Sequence, residues 1–150
     1  MSDDTRVARE AAIRLLAQRE HSQFELIQKL SRRGFGRDLL DDLLATLAEQ
    51  GLQCDERFAE AFARARYAKG QGPLKIRAGL SAKGISQHLA AKACQQPELD
   101  WHAQCEQVFV RKFGDEPVTD YAQRAKCFRF LAQRGFARDH IDAAMSSSRR

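Results

Sequence analysis

Apolar residues recur along the chain at three- and four-residue spacing, the period of a single helix face. Ile13, Leu16 and Ala17 mark such a face over residues 7–19, and Leu40, Leu43, Leu44 and Leu47 mark another over 37–50. Phe58 and Phe62, then Trp101, Cys105, Val108 and Phe109, then Ile141 and Met145 mark three more. Nowhere do β-branched or aromatic residues alternate with polar ones over a useful length. The pattern therefore predicts an all-α chain.

Three stretches, 26–35, 76–85 and 127–136, align without gaps around Gly34, Gly84 and Gly135. A Leu stands four residues before each glycine, an Arg or Lys one before, and a Phe or Ile one after. The Leu continues a helix face from Leu26, Ile76 or Cys127. The cation complements the helix dipole, and the glycine takes the left-handed conformation that stops the helix. The apolar residue after it folds back on the last turn. Each of these helices is preceded and followed by another. Ser22 with Glu25 reads as a capping box, and Asp55, Ser86 and Asp100 read as caps of later helices. The prediction is three tandem three-helix repeats, 1–53, 54–98 and 99–150, forming an elongated, curved array. One unit of about 50 residues is marginal alone, and stacking on a neighbour adds burial.

Charge changes this picture of equal repeats. The formal charge is +5, yet residues 61–97 contain no Asp or Glu and seven Lys or Arg. Arg64, Arg66, Lys69, Lys75, Arg77 and Lys83 lie there with Tyr67 among them, and these seven residues are the candidate binding site. With no anion in the segment, solvent or an anionic partner is expected to neutralise it. Tyr67 could stack on a base or pack on an Arg. The third helices of the repeats carry Asp38, Asp41 and Asp42, only Lys92, and Asp139 with Asp142. Negative helices are repelled by a duplex, so sequence-specific base reading of the helix-turn-helix kind is not expected.

Other chemistry is sparse. The four cysteines form no CxxC pair, which points to reduced, buried thiols. The histidines at 21, 88, 102 and 140 are expected to lie apart, and His102 with Cys105 offers two ligands where a site needs more. No phosphate loop, nucleophile elbow or HExxH occurs, so neither catalysis nor a metal or cofactor is expected. No run of about 18 apolar residues is present. The N-terminus lacks a secretory leader's basic and apolar regions, so a cytoplasmic protein with no membrane contact is expected.

The residues 51–59, 70–77 and 83–85, with Arg19 to Ser22, Glu25-Leu26, Lys29-Leu30 and the terminal Arg129-Phe130-Leu131 and Arg134-Gly135-Phe136, resemble the RecX family. The resemblance runs from about residue 8 to 145, and 55–85 is its specific part. Cys54 replaces the first member of the family's usual acidic pair, and Cys127 stands where a polar residue is common. The resemblance implies a small regulator of the RecA recombinase in DNA repair, recombination and the SOS response. Such a protein would lie in the helical groove of the RecA–DNA filament and restrain strand exchange, ATP hydrolysis and co-protease activity. It would also contact single- or double-stranded DNA through phosphates. Separately from the resemblance, a monomer is expected. A stand-alone nucleic-acid-binding module without a recombinase partner is the alternative.

Overall fold

A computed structural model describes residues 2–147. Nine helices, and no strand among the described residues, form three consecutive groups of three. They are α1 (Asp3–Gln18), α2 (Gln23–Arg32) and α3 (Arg37–Glu49), then α4 (Asp55–Ala68), α5 (Pro73–Ala82) and α6 (Gln87–Cys94), then α7 (Trp101–Phe113), α8 (Tyr121–Gln133) and α9 (Arg138–Ser147). The repeat boundaries fall in the turns before α4 and α7.

Local chemistry explains most of the ends. Ser22 and Glu25 form a complete capping box, and Ser86, Asp100 and Asp120 each accept a backbone N–H in the first turn of their helices. Pro73 opens α5, where its fixed φ suits the first turn. The first helix starts earlier than the apolar pattern indicates, because Ser2 caps it and Asp3 and Asp4 occupy its positive end. Asp55 is not a cap. Cys54 holds that position without a side-chain bond, and Asp55 is the first residue of α4. Its carboxylate instead accepts from the Gln23 N–H at 3.0 Å and from Gln53 Nε2 at 2.9 Å, tying the first repeat to the second.

Each repeat has its own core. Leu26, Leu30, Leu40, Leu44 and Leu47 fill the first, Phe58, Ile76, Leu80 and Ile85 the second, and Phe109, Cys127, Leu131, Phe136 and Ile141 the third. The repeated Leu before each glycine is fully buried in all three. Trp101 packs against both the second and third cores, which makes it a pin between them.

The middle helices meet end to end, in one geometry used twice. At the C-terminus of α8, the Arg134 and Gly135 carbonyls accept the N–H groups of Gly72 (2.7 Å) and Leu74 (2.9 Å) at the start of α5. At the C-terminus of α5, the Lys83 carbonyl accepts from Ser22 Oγ (2.8 Å) at the start of α2. Gly72 and Ser22 are both N-cap residues, and Arg134 and Lys83 both precede the register glycine. The glycine matters twice over at this point. Gly84 and Gly135 have φ of 79° and 99°, and a Cβ on them would strike Phe24 and Lys75 of the abutting helix.

A candidate polyanion-binding face

The seven residues picked out in the basic segment do not form one patch. Phe62, Arg66 and Lys69, the C-cap residue of α4, follow one another at four- and three-residue steps, so they lie along one side of that helix and its end. Arg66, Lys69 and Lys83 line a cleft of about 470 Å³ between the first two repeats, over Phe58 and Phe62. Arg19, Glu20 and Glu25 of the first repeat line the same cleft. The Arg66 guanidinium lies 4.4 Å from the Phe62 ring centre. Arg64 turns to another side, where it donates to Gln96 Oε1 at 2.9 Å. Lys75 and Arg77 are exposed on α5, and the Lys75 Cβ lies against Gly135.

Tyr67 is half-buried and has protein partners. Its hydroxyl donates to the Asp100 carbonyl at 3.1 Å and accepts the Asp100 N–H at 3.2 Å, and its ring meets Trp101 edge-on at 5.2 Å. Two cations of the basic segment also find anions after all, from residues that precede it in the chain. Lys83 Nζ reaches Glu25 at 3.3 Å, and Lys92 Nζ reaches Glu56 at 2.7 Å. Tertiary folding supplies the counter-charges that the linear segment lacks.

Glu25 is the electrostatic centre of the first joint, with its side chain only 5% exposed. Burial opposes its ionisation, but two hydrogen bonds from Arg19, the Ser22 N–H and Lys83 outweigh that and hold its carboxyl at about 2. Beside it, His21 is fully buried. Its Nδ1–H donates to the Arg19 carbonyl at 3.0 Å, and its Nε2 accepts from Lys29 at 2.9 Å, which describes a neutral ring. Burial, then the charges of Arg19 and Lys29, push the imidazole below its ordinary value, despite the bond to the Arg19 carbonyl.

Beyond Lys69, the cationic surface continues into the third repeat, which the basic segment did not foreshadow. A second cleft, of about 180 Å³, is lined by Lys69, Val108, Arg111, Lys112, Phe130 and Arg134. Lys112 and Arg134 each lie 5.3 Å from the Phe130 ring centre, and Arg134 also donates to the Lys69 carbonyl at 3.2 Å. Lys69 thus joins two clefts into a band running from Arg66 to Lys112. None of Arg66, Lys69, Arg111, Lys112 and Arg134 is paired with a carboxylate among the described residues. The signal that could have found Arg134 was already present, since it is the register cation of the third repeat. A wider, open groove lined by Tyr67, Gln104 and Arg111 bears Glu106 and Asp115, and the cleft at Arg66 bears Glu20 and Glu25; only the cleft at Arg134 has no acid in its lining.

Other reactive groups offer little. Cys94, Cys105 and Cys127 are buried, and burial raises their thiol pKa values, that of Cys105 to about 12, so they are poor nucleophiles. Contrary to the expectation that the histidines lie apart, His102 and His140 meet edge-on at 4.7 Å, with Asp139 beside them. Their potential ligand atoms lie within 4.8 Å of one another. His140 Nδ1, however, accepts the Ala137 N–H at 3.2 Å at the start of α9. Its proton therefore sits on Nε2, and a metal would have to displace it or break that bond.

A tandem helical array with a basic, aromatic-studded face and buried, inert thiols is a binding scaffold. Profiles of the first, second and third three-helix domains of RecX match residues 8–47, 55–93 and 98–145. A regulatory protein RecX from Chromohalobacter salexigens is 43% identical over 97% of this chain and 95% of its own. One from Halorhodospira halophila is 40% identical over 93% of this chain and 87% of its own. The crystal structure of RecX from Lactobacillus salivarius has the same fold, with a TM-score of 0.83 and 22% identity over 99% of this chain and 98% of that one. The chain belongs to the RecX family, and is a regulatory protein rather than an enzyme. No described helix is long and apolar enough to cross a membrane.

Proposed function

We propose that this protein binds the RecA–DNA filament and restrains RecA recombinase, ATPase and co-protease activity, thereby modulating DNA repair, recombination and the SOS response in the cytoplasm. One observation carries the reading most. Five cations unpaired with carboxylates among the described residues, two of them sharing the Phe130 ring and one over Phe62, form a band across the second and third repeats. Such a band fits a polyanion, with the phosphates held by Lys and Arg and the rings available to stack or pack. The third helices stay acidic or nearly uncharged, so contacts to DNA go to phosphate, single- or double-stranded, without base reading.

The test is RecA ATPase on single-stranded DNA with this protein at sub-stoichiometric levels. Inhibition is expected, and Lys69→Glu with Arg111→Glu should weaken binding to the filament by about tenfold or more and flatten its salt dependence. Helix content should be unchanged. Absence of both inhibition and filament binding would sink the proposal. Salt-dependent DNA binding that RecA leaves unaffected would favour the stand-alone nucleic-acid module.

A further inference from the structure

The joint between consecutive middle helices is made twice inside the chain, and half of a third joint is left at each end. The C-terminus of α8 receives the start of α5, and the C-terminus of α5 receives the start of α2. What remains is the C-terminus of α2, at Gly34, and the start of α8, at Asp120 and Tyr121. A Cβ on Gly34 would meet nothing within 4 Å, whereas at Gly84 and Gly135 it meets the next helix. Tyr121 is 86% exposed, the most open large apolar side chain of the described residues.

The two ends carry opposite charge. Arg32 and Arg33 at the α2 end are exposed and pair with no carboxylate among the described residues. Asp115, Glu116 and Asp120, in the segment that leads into α8, are exposed and pair with no cation among the described residues. The first joint within the chain uses the same polarity, whereas the second has no acidic residue in the first turn of α5. Lys83, which corresponds to Arg33, is ion-paired with Glu25 in the first turn of the helix it abuts.

We infer that the α2 end of one copy receives the α8 start of a second copy, so that molecules associate head to tail and continue the α8–α5–α2 line. The occupant is a second copy because one chain carries both complementary halves of a joint it already makes twice. The contact is heterologous, so it propagates into open chains rather than closing as a two-fold dimer. It is small and end-on, so it is weak in free solution. It becomes effective where copies are held side by side on one lattice, which raises their effective concentration. The inference does not depend on RecA being that lattice.

Sedimentation velocity of the full chain tests it, at low ionic strength and from about 10 µM to about 1 mM, where weak contacts register. The weight-average sedimentation coefficient should rise with concentration and fall back with salt. Arg32→Glu with Arg33→Glu makes both ends acidic, and Asp115→Lys and Glu116→Lys with Asp120→Asn, which keeps a capping side chain on α8, make both ends basic. Each variant alone should stay monomeric with unchanged helix content, and their equimolar mixture should associate again. A wild type that remains monomeric throughout overturns the inference. So does a dimer that stops at two and survives both charge reversals, or a mixture of folded variants that fails to associate.

Discussion

The two joints of this molecule share a register and differ in material. The first rests on side chains and charge. Glu25 is buried between Arg19 and Lys83, Arg57 pairs with Glu20 at 2.9 Å, and Asp55 receives Gln23 and Gln53. The second rests on backbone and apolar contact. Gly72 and Leu74 bond directly to Arg134 and Gly135, Trp101 Nε1 donates to the Cys94 carbonyl at 2.9 Å, and Gln104 Nε2 donates to the Tyr67 carbonyl at 2.7 Å. A repeat can thus keep its helix-end geometry while the groups that close it change. The consequence is unequal sensitivity. Acid and salt act on the first joint, whereas the second yields mainly to steric change.

The largest effect should come from Gly72→Ala. Its backbone is ordinary extended chain, but the new methyl would strike the Gly135 carbonyl group and the Phe136 N–H. Overpacking against backbone has no flexible side chain to relieve it, so a loss of about 3 kcal/mol is expected, with opening of the second joint. Trp101 is the only tryptophan and sits in that joint, so its fluorescence reports the change directly. An unchanged Trp101 signal and thermal midpoint would show that the helix-end contact is not tight.

Glu25→Ala comes next. It removes the acceptor for two cations and the Ser22 N–H, and a loss of about 2 kcal/mol is expected. The figure is held down because Arg19 and Lys83 are partly exposed and can rehydrate. Denaturation followed by circular dichroism measures it. The Trp101 signal should be unaffected while the first repeat loosens, and a coincident change at Trp101 would show that the joints are not independent.

The smallest effect is the pH response. The native His21 ring stays neutral below its ordinary 6.5, while the unfolded chain takes up a proton there. Its stabilisation is therefore full above about 6.5 and declines as pH falls below it. The Glu25 contribution is full above its ordinary 4.5 and is lost as pH falls towards about 2. Helix content should begin to fall on acidification before Trp101 fluorescence moves. His21→Gln should reduce the shallow loss just below 6.5, leaving the share from His140, which burial also holds below its ordinary value, and the steeper loss below 4.5. An acid profile identical to wild type would show that His21 is not what titrates.

Much of the fold was legible. The Leu-to-Gly register located the middle helices because burial and helix termination act within one or two turns of the residues concerned. Ser22, Ser86 and Asp100 were readable as caps for the same reason. Asp55 was misplaced by one position because its carboxylate is committed to Gln23, 32 residues away in sequence. The candidate site was only partly legible. Arg66 and Lys69 face the cleft, but Arg64 lies around the helix from them. Tyr67 belongs to a joint, and Arg111, Lys112 and Arg134 enter from a repeat whose overall charge drew no attention.

The sequence by itself determined which segments are helical, where the middle helices stop, and that three like units follow one another. Those properties depend on periodicity, caps and glycine, all of which act locally. Only the tertiary structure decided how α8, α5 and α2 abut, which cations find carboxylates and which remain unpaired. Those outcomes depend on side chains distant along the chain, and a charge counted along a segment does not say what folding will bring beside it.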